Sequence, residues 1–194
     1  MGNLTDSFPA ATSSNVLEII QGSCDGRSIT VDSGTYTLQN VTAYQTGSTS
    51  YADVTGSSIS YIPPADTKYV LYRFDMQWGS HNSTAISHWY IDVDGTVITK
   101  SKKTLSGNYS GNHGHIHQGS HQVFYWVFDL TVASDNAAQG KFASWSSAKT
   151  IKVRYRNYST TYKASPHRNT YRDGTSASGN YTFHIPTLTV IAYG

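Results

Sequence analysis

Four histidines crowd the segment GNHGHIHQGSH: His113, His115, His117 and His121. Alternate residues of a β-strand face the same way, so His113, His115 and His117 would present three imidazoles to one metal ion, with His121 close by. The plainer alternative is a polar Gly/His loop leading into the strand that follows. A second conspicuous segment, RYRNYSTTYKASPHRNTYRDG, interleaves cations with rings over residues 154–174. Tyr158, Tyr162, His167, Arg168, Tyr171 and Arg172 could stack on sugars and neutralise anions. An anionic surface glycan, an acidic protein neighbour and a nucleic acid are the ligands such chemistry suits. A loop kept soluble by its charges is the plain alternative.

Catalytic groupings are scarce. Asp92 and Asp94 lie in IDVDG, where Asp94-Gly95 reads as a hairpin turn. The same string resembles the start of a calcium loop but lacks the downstream acidic ligand. Glycoside hydrolysis needs two facing carboxyls, and the chain has a single glutamate, Glu18, with 11 aspartates. No G-x-S-x-G occurs, and Cys24 in QGSCDG has no neighbouring histidine to activate it. These absences point away from an enzyme.

Composition narrows the class. A chain of 194 residues fits one domain, or one domain with a small appendage. Charged residues make up only 13%, while 26 Ser and 23 Thr keep the surface polar. Many Thr, Tyr, Val and Gly with few strong helix formers point to an all-β protein. No apolar run is long enough to span a membrane. The start, MGNLTDSFPAATSS, does not resemble a secretory signal, so the six N-x-S/T sequons read as unmodified. One cysteine cannot close an internal disulfide. The net charge of +2 hides an asymmetry: residues 141–172 carry eight cations and no acid. An anionic partner should meet the C-terminal third of the chain, but the overall charge is too small for a nucleic-acid footprint.

The positioning elements follow from periodicity. Residues 1–26 read as an N-terminal arm with one short helix over Asn15–Gly22, where Asn15 caps and Glu18 sits at capping-box spacing. Leu4, Phe8, Val16, Leu17, Ile19 and Ile20 would be its anchoring and oligomerisation side chains. Residues 27–194 read as strands and turns. Val70, Tyr72, Phe74, Met76 and Trp78 share one face of a strand over Tyr69–Trp78. Residues 86–99 predict a hairpin. Val123–Val132 is apolar on both faces and predicts a central strand covered on both sides. Ile151, Val153 and Tyr155 alternate with cations. The last strand changes phase at Pro186. Eight or nine antiparallel strands without intervening helices predict a jelly roll or similar β-sandwich, with a closed barrel as the alternative.

The histidine spacing resembles the first metal motif of cupins. That family would place Glu where His121 stands and would add a second histidine motif downstream, so a cupin-like metal enzyme is the remotest alternative. Trimeric phage fibre tips use His-x-His segments around an axial ion, which implies a structural metal as a further option. More extensively, LTDSFPAATSSNVLEIIQGSCDGRSITVDSGTYTLQNVTAYQ, VTGSSISYIPPADTKYVLYRFDMQW and ISHWYIDVDGTVIT resemble structural proteins of tailed phages of marine bacteria, cyanophages among them. The resemblance covers roughly the first 100 residues. It implies a virion component made in the host cytoplasm and not secreted, with jelly-roll subunits in a homotrimer similar to tumour-necrosis-factor-like domains. Its partners would be a major capsid or tail protein. A capsid decoration (cement) or head-fibre protein is the first expectation. A tail fibre touching host glycan is the second.

Overall fold

A computed structural model describes residues 15–81, 85–107, 120–171 and 180–194. Among the described residues fifteen strands run in chain order: β1 (Val16–Ser23), β2 (Ser28–Val31), β3 (Gly34–Thr37), β4 (Ala52–Asp53), β5 (Ile59–Tyr61), β6 (Tyr69–His81), β7 (Ala85–Val93), β8 (Thr96–Val97), β9 (Lys103–Gly107), β10 (Ser120–Asp129), β11 (Lys149–Asn157), β12 (Lys163–Pro166), β13 (Arg168–Tyr171), β14 (Asn180–Phe183) and β15 (Thr187–Tyr193). Short 3₁₀ turns occupy Thr99–Ser101 and Ala137–Gln139. Among the described residues no helix is long and apolar enough to cross a membrane.

The strands form two main antiparallel sheets and two small hairpins. One sheet runs β1-β15-β6-β10, with β12 extending it along β6. The other is built on β11 and β7, flanked by β4 and β5 on one side and β8 and β9 on the other. The 13-residue β6 organises the first sheet. It pairs with β10 from Tyr69 to Trp78 on one edge, and with β15 and then β12 on the other.

Alternation explains why these segments are strands. Val70, Tyr72, Phe74 and Met76 are fully buried and Trp78 nearly so, as their two-residue spacing predicts. The inward faces of both sheets merge in one apolar cluster. Trp89 of β7 lies 5.4 Å from Phe124 of β10, ring centre to ring centre, and stacks on Tyr155 at 4.7 Å. Each such buried ring contributes about 2–3 kcal/mol by removal from water. The β7–β8 hairpin turns at Asp94 and Gly95, both at positive φ (48° and 82°). Asp92 Oδ1 accepts the Gly95 N–H and Asp94 Oδ1 accepts the Thr150 N–H. Asp92 therefore closes the turn, and Asp94 ties it to β11.

Two expectations change. Asn15–Gly22 is not helical: Val16–Ser23 pairs with β15 along its length. The capping pattern is local, whereas β1 gains a whole ladder and buries Ile20 in the core. Nor is β10 a central strand covered on both sides. It ends its sheet, and Tyr125 and Val127 remain 65% and 50% exposed.

Candidate functional site

The outer face of the first sheet is the most unusual surface described. Register places Ile19 opposite Ile191, Ile191 opposite Leu71, and Leu71 opposite Val127. Four aliphatic side chains thus form a row across four strands. Odd-numbered neighbours share their face, so Tyr125 and Arg73 stand in the next row with Thr189 and Gln21. Ile19 is 48% exposed and Tyr69 is also exposed. Scattered surface aliphatics are ordinary, but a continuous apolar row is not.

The polar part of this face is largely self-neutralised. Arg73 holds Asp75 in a two-point contact, Nε to Oδ2 at 2.7 Å and Nη2 to Oδ1 at 2.8 Å. His121 Nε2 lies 3.7 Å from the same carboxylate. Beside them opens a groove of about 460 Å³ that also reaches His184. Partial burial, and then the neighbouring His121, hold the His184 imidazole below its ordinary range.

The outer face of the second sheet has opposite character. Alternation sends Lys152, Arg154 and Arg156 outward from β11. Asp53 accepts Lys152 at 2.8 Å and lies 3.0 Å from Arg154 Nε. Arg154 also donates to the Tyr51 carbonyl at 3.1 Å. Arg156 stacks its guanidinium 5.3 Å from the Tyr51 ring centre and lies opposite His88 in register. His88 sits 6.2 Å from Tyr158, which sits 6.5 Å from Tyr162. Both tyrosines are exposed. The result is a strip of rings beside a guanidinium, a surface suited to a sugar bearing a negative charge.

Other expected site residues lie elsewhere. His167 is fully buried and Arg168 nearly so, so neither offers a ligand contact. The reason is topological: β12 adds to β6 and draws the following turn inward. His167 adopts φ 65°, and its Nε2–H donates to the Thr55 carbonyl at 2.8 Å. Arg168 lies over the Tyr44 ring at 5.4 Å. Tyr171 closes the β13 ladder opposite Asn180. His113, His115, His117, Arg172, Leu4 and Phe8 lie outside the described residues. His121 is described, on the exposed start of β10, and no group of three metal-ligating residues occurs among the described residues. Of the expected anchoring side chains, Ile20 belongs to the core, Val16 and Leu17 are half-buried, and Ile19 is exposed. Cys24 is buried, donates to the Gly56 carbonyl, and burial pushes its thiol up to about 12. Such a thiol is not a nucleophile at neutral pH.

Sequence reasoning missed the partners Tyr51 and His88, about 105 and 70 positions from Arg156 and Tyr158, because only the β4–β11–β7 pairing gathers them. It also missed the apolar row, whose alternation was readable in each strand but whose alignment depends on register. No family model matches the chain, and no curated sequence is significantly similar to it.

Proposed function

We propose that this chain is a non-enzymatic virion structural protein, a capsid decoration or head-fibre subunit that self-associates as a trimer of jelly-roll subunits. The observation that carries the reading is the uncovered row Ile19–Ile191–Leu71–Val127 on the first sheet, bordered by the two-thirds exposed Tyr125. Interface cores are enriched in such aliphatics and in Tyr, and are depleted of unpaired charge. The Arg73–Asp75 pair meets that last condition, since each neutralises the other before any partner arrives. The resemblance of the first 100 residues to tailed-phage structural proteins supplies the biological setting. Many weak subunit–lattice contacts then act together, and their combined binding stabilises the assembled shell.

The deciding variant is Ile19→Asp with Val127→Asp. Two carboxylates on the apolar row should dissociate the oligomer while leaving the β-type circular dichroism unchanged. A double variant that retains the wild-type mass in solution contradicts this reading.

A second reading, a tail fibre contacting host glycan, is favoured by the strip of Arg156, Tyr51, His88, Tyr158 and Tyr162. Arg156→Gln with Tyr158→Ala should abolish retention on an acidic polysaccharide column without changing oligomeric mass. Equal retention of the variant and the wild type removes this reading.

A further inference from the structure

A third surface adjoins the first of these faces at Tyr125 and is otherwise separate from both. The 3₁₀ turn Thr99–Ser101 and the start of β9 stand against the outer edge of β10 and enclose a cleft of about 230 Å³. That is smaller than a drug-sized pocket and suits a single small group. Lys100, Lys102 and Lys103 line one wall, and Phe124, Tyr125 and Trp126 the other. No carboxylate lines the cleft, and among the described residues none of the three lysines has an ion-pair partner.

The wall is firmly built. Ser101 is buried at the centre of the lysine turn. Its hydroxyl donates to the Ile98 carbonyl at 2.8 Å and accepts the Ile91 N–H at 2.8 Å. The turn bearing Lys100 and Lys102 is thereby tied to β7. Lys103 is held too: Nζ donates to the Val123 carbonyl at 3.1 Å and rests 4.3 Å from the Phe124 ring centre. Its partial burial holds the ammonium below its ordinary range. A half-buried cation that meets only a carbonyl and a ring face remains short of negative charge. The Val123 carbonyl points away from β6, and strand alternation turns the Tyr125 N–H toward the same cleft. Among the described residues β10 is the last strand of its sheet, and the 140–142 segment bonds its outer edge at Asp129, beyond the cleft.

We propose that this cleft binds a tetrahedral oxyanion, a sulfate or phosphate group, between Lys100, Lys102, Lys103 and the Tyr125 N–H. Three separate ammonium groups suit a tetrahedral ion approached from several sides, whereas a planar carboxylate favours the fork of an arginine. The group can be a free ion or an ester on a polysaccharide; the oxyanion chemistry is the same.

Thermal unfolding of the full chain tests the site. Sodium sulfate, and separately sodium phosphate, are titrated against sodium chloride at matched ionic strength. Specific binding should raise the midpoint with the logarithm of concentration above the dissociation constant, by about 3–6 °C at ten times that constant. Lys100→Gln with Lys102→Gln should leave the midpoint in chloride nearly unchanged and reduce the sulfate response to the non-specific rise. Lys103→Met keeps the packing on Phe124, so its midpoint in chloride should hold or increase while the sulfate response disappears. Sulfate also stabilises proteins without binding. An equal rise in wild type and both variants therefore overturns the proposal. Dextran sulfate against plain dextran separates the sources. The same shift at a lower concentration of sulfate groups than the free ion requires identifies a polymer-borne ester, and equal concentrations identify the free ion; both keep the site.

Discussion

The Tyr61 hydroxyl donates to the Glu18 carboxylate at 2.6 Å, across 43 positions of sequence. Ser33 gives the same carboxylate a hydroxyl at 2.7 Å and an N–H at 3.2 Å, and its hydroxyl also meets Tyr36 at 2.8 Å. The chain's single glutamate thus fastens β1 to the β2–β3 hairpin and to β5. Burial, and then the hydrogen bond to Glu18, push the Tyr61 phenol far above its ordinary range, so it stays a donor at every physiological pH.

Glu18→Ala should destabilise the fold by about 2–3 kcal/mol, because it strands buried donors as well as losing charge-assisted hydrogen bonds. Glu18→Gln keeps one acceptor and should cost roughly half as much. Urea unfolding of both variants measures this. Changes below about 0.5 kcal/mol, the range of ordinary surface substitutions, would remove the network from the stability account.

His167 makes stability depend on acid. Burial, its largest cause, lowers the imidazole to about 4 in the folded chain, against 6.5 when unfolded. The unfolded state takes up a proton between these values and the folded state does not, so folding is stabilised above 6.5. That stability is lost as pH falls through the window, by up to about 3 kcal/mol near pH 4. Carboxylates and His184 add losses of the same sign, so the difference from His167→Asn isolates the effect. Asn accepts the positive φ at this turn. The variant should be less stable at pH 7.5 and should show a smaller loss between pH 6.5 and 4. Parallel pH profiles for the two proteins would assign the acid sensitivity elsewhere.

Gly140 caps the Ala137–Gln139 turn at φ 72°, and its carbonyl accepts the Asp129 N–H at 3.0 Å. A Cβ there would overlap the Trp126 indole. Gly140→Ala combines left-handed strain with that overlap and should cost about 2–4 kcal/mol. Trp126 should shift its fluorescence as the indole moves. An alanine variant as stable as wild type would mean that the 137–142 segment relaxes freely.

Several features of the fold were legible because their causes are local. The alternation in β6 and the Asp94-Gly95 turn appear where the residues place them. The single last strand expected to change phase at Pro186 is instead two strands, β14 and β15, in different sheets, because β14 pairs with β13 and β15 with β1 and β6. The strand β1 was not legible, because a capping pattern read over four residues is outweighed by pairing with residues 170 positions away. β10 misled for another reason. Tyr125 and Val127 record that a face is apolar, not what covers it. The candidate strip was half legible: Arg154, Arg156, Tyr158 and Tyr162 stand out in the sequence, while Tyr51 and His88 arrive only through strand pairing. The burial of His167 and Arg168 was concealed by their polar types, since nothing local indicates that β12 extends the first sheet.

Sedimentation equilibrium of the purified full chain tests the central claim, self-association through the open face of the first sheet. The expected result is a single species of three times the 21.3 kDa chain mass, reduced to one chain by Ile19→Asp with Val127→Asp. A wild-type chain that sediments at 21.3 kDa at tens of micromolar, about the range of a weak but specific interface, contradicts it.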